Sequence, residues 1–321
     1  MALRPLLSAK RHKMNTVIVG QGAIGLLCYH RLSQAENNKQ GDDLVSLWPS
    51  TPATRIDYSF NEMNGVTKRF PLTIADKPSL TCADVIIVCV KSYQATDALK
   101  TIHQFIADDA IIILTHNGLG TLEEINPPLK PSQCLLALLL TQGAKKIAPY
   151  HVEHTGMGHS DLGIISGKLS AIKQKQLLAC LNKSLKQLNW QENIQQAQWK
   201  KLAINCVINP ISALNNTENG QINQKPYQEM TKDIISEIVA VAAKEGVTLK
   251  VSLLRQLVYN VAESTAKNTS SMRADVLNQR RTEIDYINGY IHRLGEKHQL
   301  TTTINTQLWL AVKALENKYL P

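Results

Sequence analysis

The chain has 321 residues and a mass of 35.6 kDa, and its 44% hydrophobic and 19% charged residues give a globular composition that excludes a mainly disordered protein. Its longest strongly apolar run, Cys134–Leu140, is far short of the roughly 20 residues that a membrane-spanning helix needs. The net charge of +9 includes Arg4, Lys10, Arg11 and Lys13; the rest has 31 basic against 26 acidic residues, no long Lys/Arg block and three Phe, which argues against a nucleic-acid surface.

Residues 1–13 are basic, and Leu3, Leu6 and Leu7 make too short an apolar patch for a secretory signal. They read as a disordered extension, with the folded chain starting at Met14. Thr16-Val17-Ile18-Val19 is a β-branched strand, closed at once by Gly20-Gln21-Gly22-Ala23-Ile24-Gly25 and followed by a helix over 26–32. A second strand is expected over 44–48, then a polar, turn-rich stretch. Asn64-Gly65 marks a tight turn into another strand over 66–74. The continuous apolar runs at 84–90, 110–114 and 134–141 suit buried parallel strands, with helical stretches such as 95–105 between them. Such alternation indicates a doubly wound α/β domain.

The pattern changes near Asn189-Trp190-Gln191. Residues 199–214, 227–245, 253–266, 282–298 and 306–319 carry helical periodicity, and strand signals are few. The expected fold class is therefore α/β: an N-terminal doubly wound Rossmann-type parallel sheet over 14–190, then an all-helical domain over 191–321. The six cysteines (Cys28, Cys82, Cys89, Cys134, Cys180 and Cys206) show no C-x-x-C spacing, which argues against a metal site or disulfide scaffold and for a reducing cytoplasm.

The glycine pattern gains meaning from its place between a strand and a helix. Gly20 permits the tight turn, Gly22 lets the backbone approach a pyrophosphate, and Gly25 lets the helix pack on the strand. Gln21, Ala23 and Ile24 complete the loop, and the helix N-terminus then faces the anion. The end of the second strand, Leu47-Trp48-Pro49-Ser50-Thr51, has no acid to bind a ribose 2′-hydroxyl. Ser50, Thr51 and Arg55 can receive a 2′-phosphate instead, so NADPH is favoured over NADH.

In the second half, Lys201, Asn205 and Asn209 are spaced four apart and share one face of an otherwise apolar helix. Buried amides and a lysine need partners, so this stripe faces a cavity. Lys91 and Asn117 each follow a buried strand, at the sheet end where open α/β folds bind ligands. Glu283 alone reads best as an exposed helical glutamate, and Asn268-Thr269-Ser270-Ser271 as a loop or helix cap.

Together, residues 17–25, Val90-Lys91, His116-Asn117-Gly118-Leu119-Gly120, residues 201–210, Asn219-Gly220, Ser270-Ser271-Met272 and residues 282–289 resemble the ketopantoate reductase (2-dehydropantoate 2-reductase) family. The resemblance implies NADPH-dependent reduction of 2-dehydropantoate to pantoate, on the route to pantothenate and coenzyme A. It implies that Lys201 is catalytic. It places Asn205, Asn209, Asn219, Asn268, Thr269, Ser270 and Ser271 against substrate. It places Lys91, Asn117, Ala144 and Glu283 around the cofactor and active site. Some family members have an arginine directly after the tryptophan of the second strand; here Pro49 and Ser50 follow Trp48. The rival readings are a reductase of another branched 2-keto acid and a non-catalytic NADPH-binding sensor. The expected partner is a small-molecule substrate, with no nucleic acid, membrane or metal; the sequence does not fix an oligomeric state.

Overall fold

The computed structural model describes residues 14–34, 44–51, 55–125, 129–185 and 187–320. The expected extension over 1–13 lies outside them. The chain forms two compact units. The first runs through Val90 and takes in Thr101–Thr115 and the stretch that ends at Trp190; the second takes Lys91–Lys100, the stretch from His116, and the chain from Gln191 onward.

In the first unit, β1 (Thr16–Val19), β5 (Val85–Val88) and β6 (Ile111–Leu114) are buried along their whole length. Their unbroken runs of apolar, mostly β-branched residues suit strands covered on both faces. With β2 (Val45–Trp48), β7 (Cys134–Leu140), β10 (Ser160–Ser166) and β11 (Leu188–Trp190) they form a seven-stranded sheet, ordered β11-β10-β7-β6-β5-β1-β2. Pairing is parallel from β2 to β7; β10 joins β7 antiparallel, and β11 is parallel to β10. The chain leaves β1 first toward β2 and later returns on its other side as β5, which makes the end of β1 the topological switch point.

The stretch expected to be merely turn-rich contains a strand, and a second sheet is built around it. This sheet has four strands ordered β4-β3-β9-β8, with β3 (Asp57–Asn61), β4 (Thr67–Pro71), β8 (Gly143–Ala148) and β9 (His151–Gly156). On β3 only Tyr58 and Phe60 are buried, against helix α1 (Ala23–Ser33). The His30 ring of α1 stacks on Phe60 at 3.6 Å, and its Nδ1 lies 2.9 Å from the Tyr58 hydroxyl. Such alternation over a few polar residues is a weak sequence signal; the strand exists because α1 offers its inner face a core. The Asn64-Gly65 turn does join β3 to β4, with Gly65 at a φ of 81°.

The second unit has its own helical core. Four shorter helices, α2 (Lys77–Thr81), α3 (Ala95–Ile102), α4 (Thr121–Glu124) and α5 (Ala171–Asn182), come before its spine, α6 (Ile194–Asn215), which has 22 residues with Pro210 inside. Proline has no N–H to give to the carbonyl four residues back, Cys206. Asn288 Nδ2 donates to that oxygen instead, at 3.0 Å, and also to Asn305 Oδ1. Around α6 lie α7 (Gln228–Lys244), α8 (Val251–Ser264), α9 (Ser271–Leu277), α10 (Asn288–His298) and α11 (Thr303–Glu316). The helix expected over 282–298 is shorter. Thr282 gives its N–H to Glu316 and accepts from Ile284 N–H through its own hydroxyl, so a 3-10 turn over Ile284–Tyr286 precedes α10. Among the described residues no helix is long and apolar enough to cross a membrane.

Candidate functional site

The glycine loop sits at the switch point of the large sheet. Gly20 follows β1 at a φ of 104°, and a Cβ there would stand 2.8 Å from the Cys89 carbonyl oxygen. A Cβ on Gly25 would stand 1.9 Å from Gly20 O. Both glycines are thus demanded by the protein's own packing. Gly22 is not: its φ is −71°, and the nearest atom to an added Cβ is Cys89 O at 3.8 Å. Gly22 caps α1 with no side chain, and the first-turn amides of Ala23, Ile24 and Gly25 have no carbonyl in the helix to bond. This open, donor-rich helix end fits a pyrophosphate. Gln21 Oε1 accepts from Ser50 N–H at 2.8 Å, which ties the loop to the end of β2. Arg55 instead pairs with Asp57 at 3.2 Å. Ala144 lies on β8, half-buried and packed on the first unit's core.

In the second unit Lys91, Asn117 and Glu283 meet. Glu283 is 3% exposed, so it is not the surface glutamate its sequence suggests. Its Oε1 accepts from Ser92 N–H at 3.0 Å. Its Oε2 accepts from Asn117 Nδ2 at 3.3 Å and lies 3.4 Å from Lys91 Nζ. Burial alone would push the Glu283 carboxyl up, but the Lys91 charge and the Ser92 N–H outweigh it and hold it below its ordinary range. Asp275 of α9 also meets Lys91, at 2.6 Å. There burial prevails over Lys91, and the Asp275 carboxyl is raised. Burial would push the Lys91 ammonium down; Glu283 and Asp275 more than reverse that. The loop after β6 is pinned to the same place. Leu119 N–H donates to Tyr286 O, and Gly118, at a φ of 82°, leaves no room for a Cβ beside that oxygen. His116 is held neutral, its pKa lowered to about 4, by burial and by the Lys201 charge, although Glu283 pulls the other way.

The polar stripe lies along α6 as spaced. Lys201 and Asn205 are half-buried, and Asn209 is buried. The Asn205 Nδ2 is buried without a hydrogen-bond partner. So is the Asn219 Oδ1, although Asn219 Nδ2 donates to Thr265 Oγ1. A buried orphan donor such as Asn205 Nδ2 can give a hydrogen bond to a ligand's carboxylate, and an orphan acceptor such as Asn219 Oδ1 can take one from a hydroxyl. Ser270 caps α9 through Arg273 N–H, and its hydroxyl lies 2.7 Å from that of Ser212 on α6. Asn268 gives its carbonyl to Asn219 N–H, while its side chain and those of Thr269 and Ser271 are exposed. Sequence reasoning missed Asp275, Ser92, Ser212 and Thr265. Of these only Asp275 had a signal, an acidic residue one turn after the Ser270-Ser271 cap.

Two family models cover the chain in order. The model described as ketopantoate reductase PanE/ApbA matches residues 16–167, and that for the PanE/ApbA C-terminal part matches 193–316. The chain belongs to the ketopantoate reductase family. A 2-dehydropantoate 2-reductase of Vibrio cholerae is 33% identical over 306 residues, covering 95% of this chain and 99% of the relative. One from Yersinia pestis is 32% identical over the same length, covering 96% of the relative. Among solved structures, a PanE/ApbA family ketopantoate reductase from Ralstonia eutropha shares the fold, with a TM-score of 0.82 at 23% identity, covering 96% of this chain and all of that one. The D-mandelate dehydrogenase ternary structure with NADH and anilino(oxo)acetate shares it with the same score at 24% identity, covering 95% of this chain and 99% of that one.

Proposed function

We propose that the protein is a cytoplasmic NADPH-dependent 2-dehydropantoate 2-reductase that makes pantoate for pantothenate synthesis. The observation that carries this reading is the pair of family matches, which together span both the glycine loop and the α6 stripe. In this reading residues 14–190 supply the dinucleotide-binding part and 191–321 the helical substrate part. The loop amides of residues 20–25 hold the pyrophosphate, and Lys91, Asn117, Ala144 and Glu283 surround the cofactor. Ser50, held against the loop by Gln21, and Thr51 stand where a 2′-phosphate would bind, and no acid follows β2 to repel it.

The bound nicotinamide supplies the hydride. Lys201 does the work of a general acid: its ammonium stabilises the negative charge that develops on the ketone oxygen and gives that oxygen its proton. Asn205 and Asn209, one and two turns along α6, orient the substrate. Asn219 and the 268–271 segment bind its carboxylate and hydroxyl. The carboxylates of Glu283 and Asp275 hold Lys91 in place.

The test is consumption of NADPH with and without 2-dehydropantoate, repeated with NADH. The reading expects oxidation only with the keto acid and a higher kcat/KM with NADPH. Cofactor binding without turnover would favour the sensor reading, and equal or better use of NADH would refute the 2′-phosphate argument.

A further inference from the structure

We propose that Glu316, the last residue of α11, is the positioning residue for Glu283 and acts by fixing the main chain of Thr282. This rests on the reading above, in which Glu283 belongs to the active machinery. Glu316 is 1% exposed, an expensive place for a carboxylate unless it has defined partners. Its Oε1 accepts the N–H of Thr282, the residue before Glu283, at 2.6 Å. Its Oε2 lies 3.1 Å from Lys313 Nζ, and the same ammonium lies 3.2 Å from Asp285 Oδ2. Asp285 also accepts from Trp309 Nε1 at 2.8 Å. Trp309, Lys313 and Glu316 are spaced four and three apart, so a single face of α11 grips the residue before Glu283 and the residue two after it.

Between those grips the Thr282 hydroxyl accepts from Ile284 N–H, which closes the backbone around Glu283 from both sides. Glu283 must place two oxygens on three groups from distant parts of the sequence: Ser92 N–H, Asn117 Nδ2 and Lys91 Nζ. Its own side chain cannot set that geometry if the backbone beneath it drifts. A carboxylate is suited to this task because its hydrogen bond to an N–H is stronger than a neutral acceptor's, and Lys313 balances its charge.

The test uses the full chain with Glu316→Ala, Glu316→Gln, Glu283→Gln and the Ala/Gln double variant. Hydrogen exchange is read on peptides containing Ser92 and on peptides spanning 282–287, and kcat/KM is read with 2-dehydropantoate. Glu316→Ala should speed exchange about ten-fold or more at Thr282 and also at Ser92, where the Glu283 carboxylate lets go. It should cut kcat/KM by about 10- to 100-fold, as misplacement near 1 Å does. Glu316→Gln keeps an acceptor and should lose no more than about three-fold. In the Glu283→Gln background Glu316→Ala should add less than about two-fold, since its route of action is gone. Faster exchange at Thr282 alone, an equal loss in both backgrounds, or a ten-fold loss in Glu316→Gln would overturn the proposal. If the alanine variant does not fold, Glu316→Met fills the volume without an acceptor and takes its place. A wild-type protein that leaves 2-dehydropantoate untouched refutes the functional reading, and the exchange arm still decides the role of Glu316.

Discussion

Lys91 and Asp275 stand 184 positions apart in the chain, and their Nζ and Oδ2 atoms are 2.6 Å apart. With Glu283 at 3.4 Å, one ammonium serves two buried carboxylates. Replacing Lys91 by Met would take away the ammonium that both carboxylates share, leaving Asp275 with Arg280 at 3.6 Å and Glu283 with its hydrogen bonds from Ser92 N–H and Asn117. The loss should be about 1–3 kcal/mol, less than for a fully buried pair because Lys91 is partly exposed. Asp275→Asn keeps an acceptor for Lys91 and removes repulsion with Glu283, so it should change stability by less than about 1 kcal/mol. Urea unfolding of the two variants compares them; equal losses would show that the charge arrangement does not matter.

Gly22 and Gly25 make a differential test of the phosphate loop. Gly25→Ala forces a methyl against Gly20 O, and the protein should melt early or fail to fold. Gly22→Ala meets no protein atom closer than 3.8 Å and should melt normally. The new methyl occupies the approach of the pyrophosphate, so NADPH should bind at least about ten-fold more weakly, a loss of about 1.4 kcal/mol. Fluorescence titration measures this, and an unchanged Kd would remove the loop from cofactor binding.

His30 predicts an acid-side loss of stability. Burial, then the neighbouring Arg31 charge, lowers its pKa from 6.5 to about 4, against the opposing pull of Glu62. The folded protein keeps the ring neutral on Phe60, whereas the unfolded chain takes up a proton near its ordinary pKa. The stabilisation is therefore complete above about pH 6.5 and is lost as pH falls toward 4, by up to about 3 kcal/mol. His30→Gln should be less stable at neutral pH but show a flatter slope across that window. Identical slopes for variant and wild type would contradict this.

Lys201→Ala should lower turnover by about 10²–10⁴, the range for losing a general acid. NADPH affinity should fall far less, because the glycine loop is untouched. Near-normal turnover would take Lys201 out of the mechanism.

Much of this was legible in the sequence, for physical reasons. The buried strands announce themselves as almost unbroken apolar runs, and Gly20-x-Gly22-x-x-Gly25 has meaning because a strand ends and a helix begins around it. The α6 stripe is local, so a spacing of four was enough to place Lys201, Asn205 and Asn209 on one face. What stayed hidden is non-local. Tyr58 and Phe60 look like scattered aromatics until α1 covers them. Glu283 reads as a surface residue because its partners, Ser92, Lys91 and Asn117, come from stretches more than 160 residues away. Asp275 carries only its place one turn after the Ser270-Ser271 cap, and Glu316 carries no signal; their burial is decided by the ammonium or amide each one meets.

In the proposed function Asn205, Asn209, Asn219 and Ser271 recognise the hydroxyl and carboxylate of 2-dehydropantoate. The most direct test is the ratio of kcat/KM for 2-dehydropantoate to that for 2-keto-3-methylbutanoate, which lacks the hydroxymethyl arm, with NADPH saturating. A site that leaves buried amides unpaired rejects such an analogue strongly, so the ratio should be at least about 10² and should fall in Asn209→Ala. Comparable values for the two keto acids in the wild type would contradict the claim and point to a general branched keto-acid reductase.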